Sequence, residues 1–504
     1  MFALILRSLV FLGLLGFLLV PGFGQQKKAD RDILKGLEHQ IEQGNFQAVE
    51  RPLLDFVIGR PNSAEGFELL ARLRLRQQRL NEARSLYEKV LLIDPTFTRA
   101  RIDLAVTTYY SGDVSGAQSQ LKLIDLNSSS VASDGLRLAQ ALVLVRDFET
   151  TLKVIDRLPA AQRTAALPLS TEANLGLGKV EGVRGLIAAA RSIARSKPDT
   201  AIGVANAIVQ TAFNKEAAEI SALVLVVQPR NVRALLLLAR SKLASRDVAA
   251  ARISINKAIA LSPDVPDALV LLAMIEAEQD KLAEATKAIE RALELAPSSA
   301  EIMTQAVTIY MRANKSRRAH EIARQLISLL PDDPNAVYLL GAASLQAGRI
   351  EDAETYLGRF ARLRPDDGRG CVAYSLALAA QPDKLHAARR RLEGCLKADP
   401  RNFEATYQLA LSYRSSGDTT PAIDYLERTV ELAPNYAYAV RDLGVLYLQT
   451  GNESKARIRL EYAVKLLPDD ADTHFQLSRL YNLSGQPELA KQHFERFQKL
   501  RGEN

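Results

Sequence analysis

Tryptophan is absent from the 504-residue chain, cysteine occurs twice and histidine five times. Two cysteines exclude a mini-domain built on a disulfide framework and any zinc module of four thiolates. Glycine (27) and proline (20) are scarce for this length, which disfavours a turn-rich sandwich or propeller and favours helices. Charge of one sign is also scarce: 65 Lys+Arg against 58 Asp+Glu leave +7 spread along the chain, with no basic stripe for nucleic acid. Reaction chemistry is missing as well. His39, His320, His386, His474 and His493 are scattered without metal-type spacing. His320-Glu321 opens like a zinc-protease helix but has Arg324 where the second His belongs, and Gly178-Lys179 runs into Val180 without the glycine of a phosphate loop. The expectation is no enzyme, no metal and no cofactor.

What remains is an ordinary globular composition, 47% hydrophobic and 24% charged. Residues 1–24 read as a secretory signal peptide: Arg7, then the apolar run Ser8 to Val20, then Pro21-Gly22-Phe23-Gly24. The run is shorter than the about 20 residues a membrane-spanning helix needs, so an uncleaved N-terminal anchor is the second reading and the membrane touches the protein only there. The chain is expected to be exported and to work in a periplasmic or extracellular space.

Proline is the ruler for the rest. Pro61 and Pro95 lie 34 residues apart, Pro229, Pro263, Pro297, Pro331 and Pro365 follow one another at 34, Pro400 at 35, and Pro434 and Pro468 at 34. Internal repetition at this period decides the fold of the whole chain, and residues from Lys28 onward have room for fourteen repeats. Taking each proline as place 32 puts repeat starts at Asp30, Ala64, Pro198, Val232, Pro266, Ala300, Pro334, Arg369, Phe403, Ala437 and Ala471; Thr98, Ala132 and a start near Thr164 bridge the middle. Place 8 is small (Ala71, Ala105, Ala273, Gly341, Ala410, Gly444), and so is place 20 (Ala83, Ala117, Ala285, Ala353, Ala422, Ala490), as two closely crossing helices require. Gly44, Gly112, Gly348, Gly417, Gly451 and Gly485 hold place 15, where a helix ends in a left-handed residue. Each repeat therefore reads as helix, tight turn, helix, stop. Domains are set at 25–197, degenerate after about 130, and 198–504, regular.

With Tyr310, Tyr413, Tyr447 and Tyr481 in place 11 beside these columns, the chain resembles the tetratricopeptide repeat (TPR) family. The resemblance implies an all-α, right-handed superhelical solenoid of stacked helix-turn-helix repeats, whose concave groove holds protein or extended peptide partners, and no reaction. In such repeats the first helix faces the groove through places 2, 5, 6, 9 and 12. Those places give Tyr338, Tyr374, Tyr407, Tyr438, Arg441 and Phe475 as a ladder of rungs, with Arg233 and Arg240 as a weaker basic patch. Tyrosines that only pack on the next helix are the alternative. The carboxylate clamp of Lys and Asn found in some family members is not present.

Cys371 lies at the start of the first helix of its repeat and Cys395 near the end of the second, ends that antiparallel packing brings together, which leaves open a disulfide closing about 25 residues, worth on the order of 3 kcal/mol, or two separately buried thiols. Leu489, Phe494, Phe497 and Leu500 line one stripe of the last helix, a candidate self-association surface. The function expected is a non-enzymatic scaffold of the cell envelope or secreted space; the alternative is a helper of polysaccharide synthesis or export, binding glycan or its machinery.

Overall fold

The structure, a computed structural model, describes residues 23–502, so nearly all of the 1–24 segment lies outside the described residues. What is described is all-α, with no strand, and no described helix is long and apolar enough to cross a membrane. The chain divides into two compact bodies at Leu261 and Ser262. The first runs in helix pairs from Phe23–Glu42 with Phe46–Gly59 to Val232–Ala244 with Val248–Leu261. The second runs from Pro266–Glu278 with Leu282–Leu295 to Ala471–Leu483 with Pro487–Gly502. Each body is a solenoid stack of seven pairs among the described residues, and helices begin at Ala64, Thr98, Pro198, Val232, Pro266, Ala300, Pro334, Phe403, Ala437 and Ala471, where the prolines place them.

The small columns explain why the pairs close. The alanines of places 8 and 20 are fully buried. At Gly341 an added Cβ would stand 2.7 Å from Leu357 Cγ, and at Gly444 2.8 Å from Leu460 Cγ, so the facing leucine of the second helix sits where a side chain would be. Asp333, Asp367 and Asp470, directly after the proline loops, accept hydrogen bonds from the backbone N–H of Ala336, Arg369 and Thr473 and cap the helices they precede. A second recurring tie joins several second helices to the loop before their repeats. Arg359 and Arg428, both in place 26, donate to the carbonyls of Pro331 and Pro400, and Tyr462, in the same place, donates to Asn435 Oδ1. Tyr447 and Tyr481, in place 11, reach back to Glu427 and Glu461 of the preceding second helix.

Regularity slips at two points. Between Phe148–Arg157 and Leu167–Gly176 a short helix, Ala160–Ala165, is inserted, and no place-32 proline ends that repeat. The other is the 35-residue repeat. Its first helix starts at Gly368, three residues after Pro365 as elsewhere, and the extra residue lies in the turn, where Pro382–Lys384 forms a 3-10 helix. The start expected at Arg369 is therefore one residue late. A disulfide links Cys371 to Cys395 across this pair, with Cα atoms 6.1 Å apart.

Candidate partner-binding groove

In the second body the first helices pack on one another as well as on their own partners: Pro266–Glu278 meets Ala300–Arg312, which meets Pro334–Gln346, and Gly368–Ala379 meets Phe403–Ser415. The first helices are thus crowded together on one side, and their outward surface is the concave one.

Tyr407 projects from this side but is buried, and its hydroxyl donates to Asp442 Oδ2 at 3.0 Å. Asp442, 3% exposed, also takes Arg414 Nη1 at 3.0 Å and Arg441 Nε at 3.0 Å. One buried carboxylate thus orders a tyrosine and two arginines, a pattern that keeps a buried charge neutralised on every side. Burial first, and the Asp442 carboxylate second, push the Tyr407 phenol well above its ordinary range, so it stays a donor. Arg441 also approaches Asp470 Oδ1 at 3.6 Å and lays its guanidinium 5.3 Å over the ring of Tyr438, which is 48% exposed. Four rings run edge to face from this point: Tyr438 to Tyr436 at 6.0 Å, Tyr436 to Tyr407 at 5.1 Å and Tyr436 to Phe403 at 5.3 Å. The rings are fixed from below and open at Tyr438, a rigid platform of the composition that dominates protein interfaces.

The other rungs are separate. Tyr338 is half-buried, tilted on Phe360 at 5.0 Å with Arg369 stacked 5.2 Å above it. Phe475 packs on Phe497 of the last helix at 5.1 Å, and Phe497 on Phe494 at 5.8 Å; Leu489 and Phe494 are exposed, Leu500 is buried. Tyr374 leaves the row. With the helix starting at Gly368 it holds place 7, not 6, and its ring lies between Gly358 of the preceding second helix and Arg391, 4.6 Å above it. In the first body Arg233 is exposed and only 3.9 Å from Asp199, and Arg240 is half-buried.

Sequence reasoning missed Asp442, Arg414, Phe403 and Tyr436, and also an ion-pair lattice in the first body. There Arg72 meets Glu38 at 2.6 Å, Arg99 meets Asp134 at 3.1 Å, and Arg137 grips both oxygens of Asp103 at 2.8 and 2.9 Å. The partners stand 34 or 35 residues apart, so charges of opposite sign recurring at or beside groove places of successive repeats were the available signal. Among the described residues no cluster of side chains could hold a metal ion.

Family models described as tetratricopeptide repeat match residues 64–97, 236–300, 377–437 and 409–481, and the model of anaphase-promoting complex, cyclosome, subunit 3 matches 278–360. No curated protein sequence matches the chain. Among solved structures, the chain is similar to the APC/C hetero-tetramer Cut9-Hcn1 at 15% identity and a TM-score of 0.48, over 94% of each chain. It is similar to yeast Tom70 at 14% identity and 0.40, over 94% of this chain and 97% of that one. A tetratricopeptide repeat protein from Parabacteroides merdae ATCC 43184 aligns at 16% identity and 0.44, over 52% of this chain and 98% of its own.

Proposed function

Because the chain is a tetratricopeptide repeat protein, we propose that it is a non-enzymatic scaffold that holds polypeptide partners in the groove of the second body, centred on the platform of Phe403, Tyr436, Tyr438 and Arg441. The platform carries this reading: its aromatic and guanidinium surface is ordered before any partner arrives, so little side-chain freedom is lost on binding. The first body supports it by contrast, since Arg72, Arg99 and Arg137 on its first helices are already paired with Glu38, Asp134 and Asp103 of neighbouring first helices. Export is part of the proposal. It rests on the signal-like pattern of residues 1–24, and the Cys371–Cys395 bridge supports it, because such bonds persist where thiols are not kept reduced.

Pull-down from an envelope fraction with the full chain tests it. Tyr436→Ala and Tyr438→Ala together are expected to lower captured protein about tenfold with the helical circular dichroism unchanged. Protein captured equally by the double variant would sink the assignment of the groove. Partly open tyrosine rings also stack on sugars, so the second reading is an accessory factor of polysaccharide synthesis or export. Glycan retained without protein, and lost from the same variant, would favour it.

A further inference from the structure

The last helix pair brings two histidine side chains together. His474, buried in place 4 of Ala471–Leu483, has Nε2 3.0 Å from the carbonyl oxygen of Pro468. A carbonyl only accepts, so Nε2 carries the hydrogen and Nδ1 keeps a lone pair. That Nδ1 lies 2.9 Å from Nδ1 of His493, on Pro487–Gly502, which must therefore be the donor. With one hydrogen on each ring, the two sit in opposite tautomers and each defines the other. One counter-charge acts on His493, the Glu461 carboxylate, which partly offsets the effect of burial and of His474. From the preceding helix Glu453–Leu466, Glu461 is bonded to the hydroxyl of Tyr481 at 2.7 Å, and Arg457 lies 5.9 Å over the Tyr481 ring. The face of that ring stacks on His493 at 5.5 Å. Of the loop carboxylates, Asp470 caps Thr473 and Asp469 pairs with Arg496.

A first added proton can sit on His493 Nε2 and leave the Nδ1–H···Nδ1 bond intact; a second, on His474 Nδ1, puts N–H against N–H and breaks the contact. We propose that the His474–His493 contact is an acid-released latch: it docks the last helix at neutral pH and lets it go as the pH falls toward 5, uncovering Phe475, Leu477, Leu480 and Tyr481. Burial, and then the neighbouring His474, hold the His493 imidazolium below the usual histidine range, which has the matching sign: the docked state binds protons less readily than the released one and loses stability as the pH falls. The latch stands on its own geometry; its bearing on partner capture, through Phe475, rests on the groove reading.

Hydrogen exchange of the full chain at pH 7.5 and 5.0, corrected for the intrinsic rate, reads the release directly. Amides of 487–502 are expected to lose about tenfold or more protection at pH 5.0, while those of Ala437–Gln449 change less than about threefold. Two variants remove the meeting of two protonated rings while keeping the dock: His474→Leu, the residue that place 4 carries at Leu235 and Leu269, and His493→Gln, whose amide can donate to His474 without taking a proton. Loss of the pH response in either one supports the latch. Unchanged protection of the wild-type helix at pH 5.0, or a response kept in both variants, overturns it. Partner capture is scored separately, so a failed groove leaves this result intact.

Discussion

At Glu68 the cost of a buried carboxylate is visible in one residue. It is 5% exposed, its Oε1 has no hydrogen-bond donor, and Arg72 Nε comes no nearer than 3.8 Å. Burial raises its pKa to about 7, with the Asp103 carboxylate adding to the shift and Arg72 opposing it. The folded chain holds this proton more tightly than the unfolded one, so the stabilisation is complete below the ordinary carboxylate range and is lost as the pH rises through about 7. Stability of the first body is therefore expected to fall by up to about 3 kcal/mol between pH 4.5 and 8. Glu68→Gln should remove most of that slope and be the more stable form at pH 8, as read by urea unfolding at the two pH values. An unaltered slope in the variant would show that another group titrates. Glu68 also shows which site residues can be read from sequence. Tyr338, Tyr438, Arg441 and Phe475 could be proposed from sequence because a place number and a residue type suffice to mark them as candidates. Asp442, Arg414 and Glu68 could not, because a charge in a groove place reads as solvated until its burial and its partner one repeat away are known.

The turn between the two helices of a repeat shows why the fold was easier to read than the site. Place 15 is left-handed at Gly44, Gly112, Gly178, Gly348, Gly417, Gly451 and Gly485, and equally at Gln78, Arg146, Arg246, Asp280 and Asn314, with φ between 54° and 63°. The backbone conformation is set by the packing of the pair, and glycine only relieves it. Arg246→Gly and Asp280→Gly are each expected to stabilise the chain by roughly 0.5–1 kcal/mol, and Gly451→Ala, whose new Cβ meets nothing within 4 Å, to destabilise it by a similar amount. Urea midpoints check all three, and a neutral Gly451→Ala would mean the turn relaxes. The repeat from Gly368 is the exception that misled the register. Proline spacing gives its length of 35 but not where the extra residue sits, and placing it before the helix instead of in the turn moved Tyr374 by one place. That turn is held by other means: Lys384 Nζ meets Glu354 at 2.6 Å and Gln381 Nε2 donates to the same carboxylate at 2.8 Å, while the Cys371–Cys395 bridge ties the two helices at their other end.

Across the whole chain, stability is distributed and has no single centre. Each body is a file of small apolar clusters, each shared by a pair and its neighbours: the cluster around Leu426, Leu443 and Leu460 spans the repeats from Phe403 to the last helix, while that of Ala353, Leu357 and Ala377 joins only two. A chain of nearest-neighbour interfaces transmits a local loss over a repeat or two and no further, unlike a domain with one core. Leu357 is fully buried in the contact that leaves no room for a side chain at Gly341. Leu357→Ala is expected to cost about 3 kcal/mol through the cavity it opens. Hydrogen exchange of the full chain shows where that loss goes. Protection should drop most in Pro334–Gln346, Ile350–Leu363 and Gly368–Ala379, less in Phe403–Ser415, and hardly at all in Ala471–Leu483 of the same body. A uniform drop from Pro266 to Leu483 would mean that the second body unfolds as one cooperative unit, and the account of it as independent neighbouring pairs would have to be abandoned.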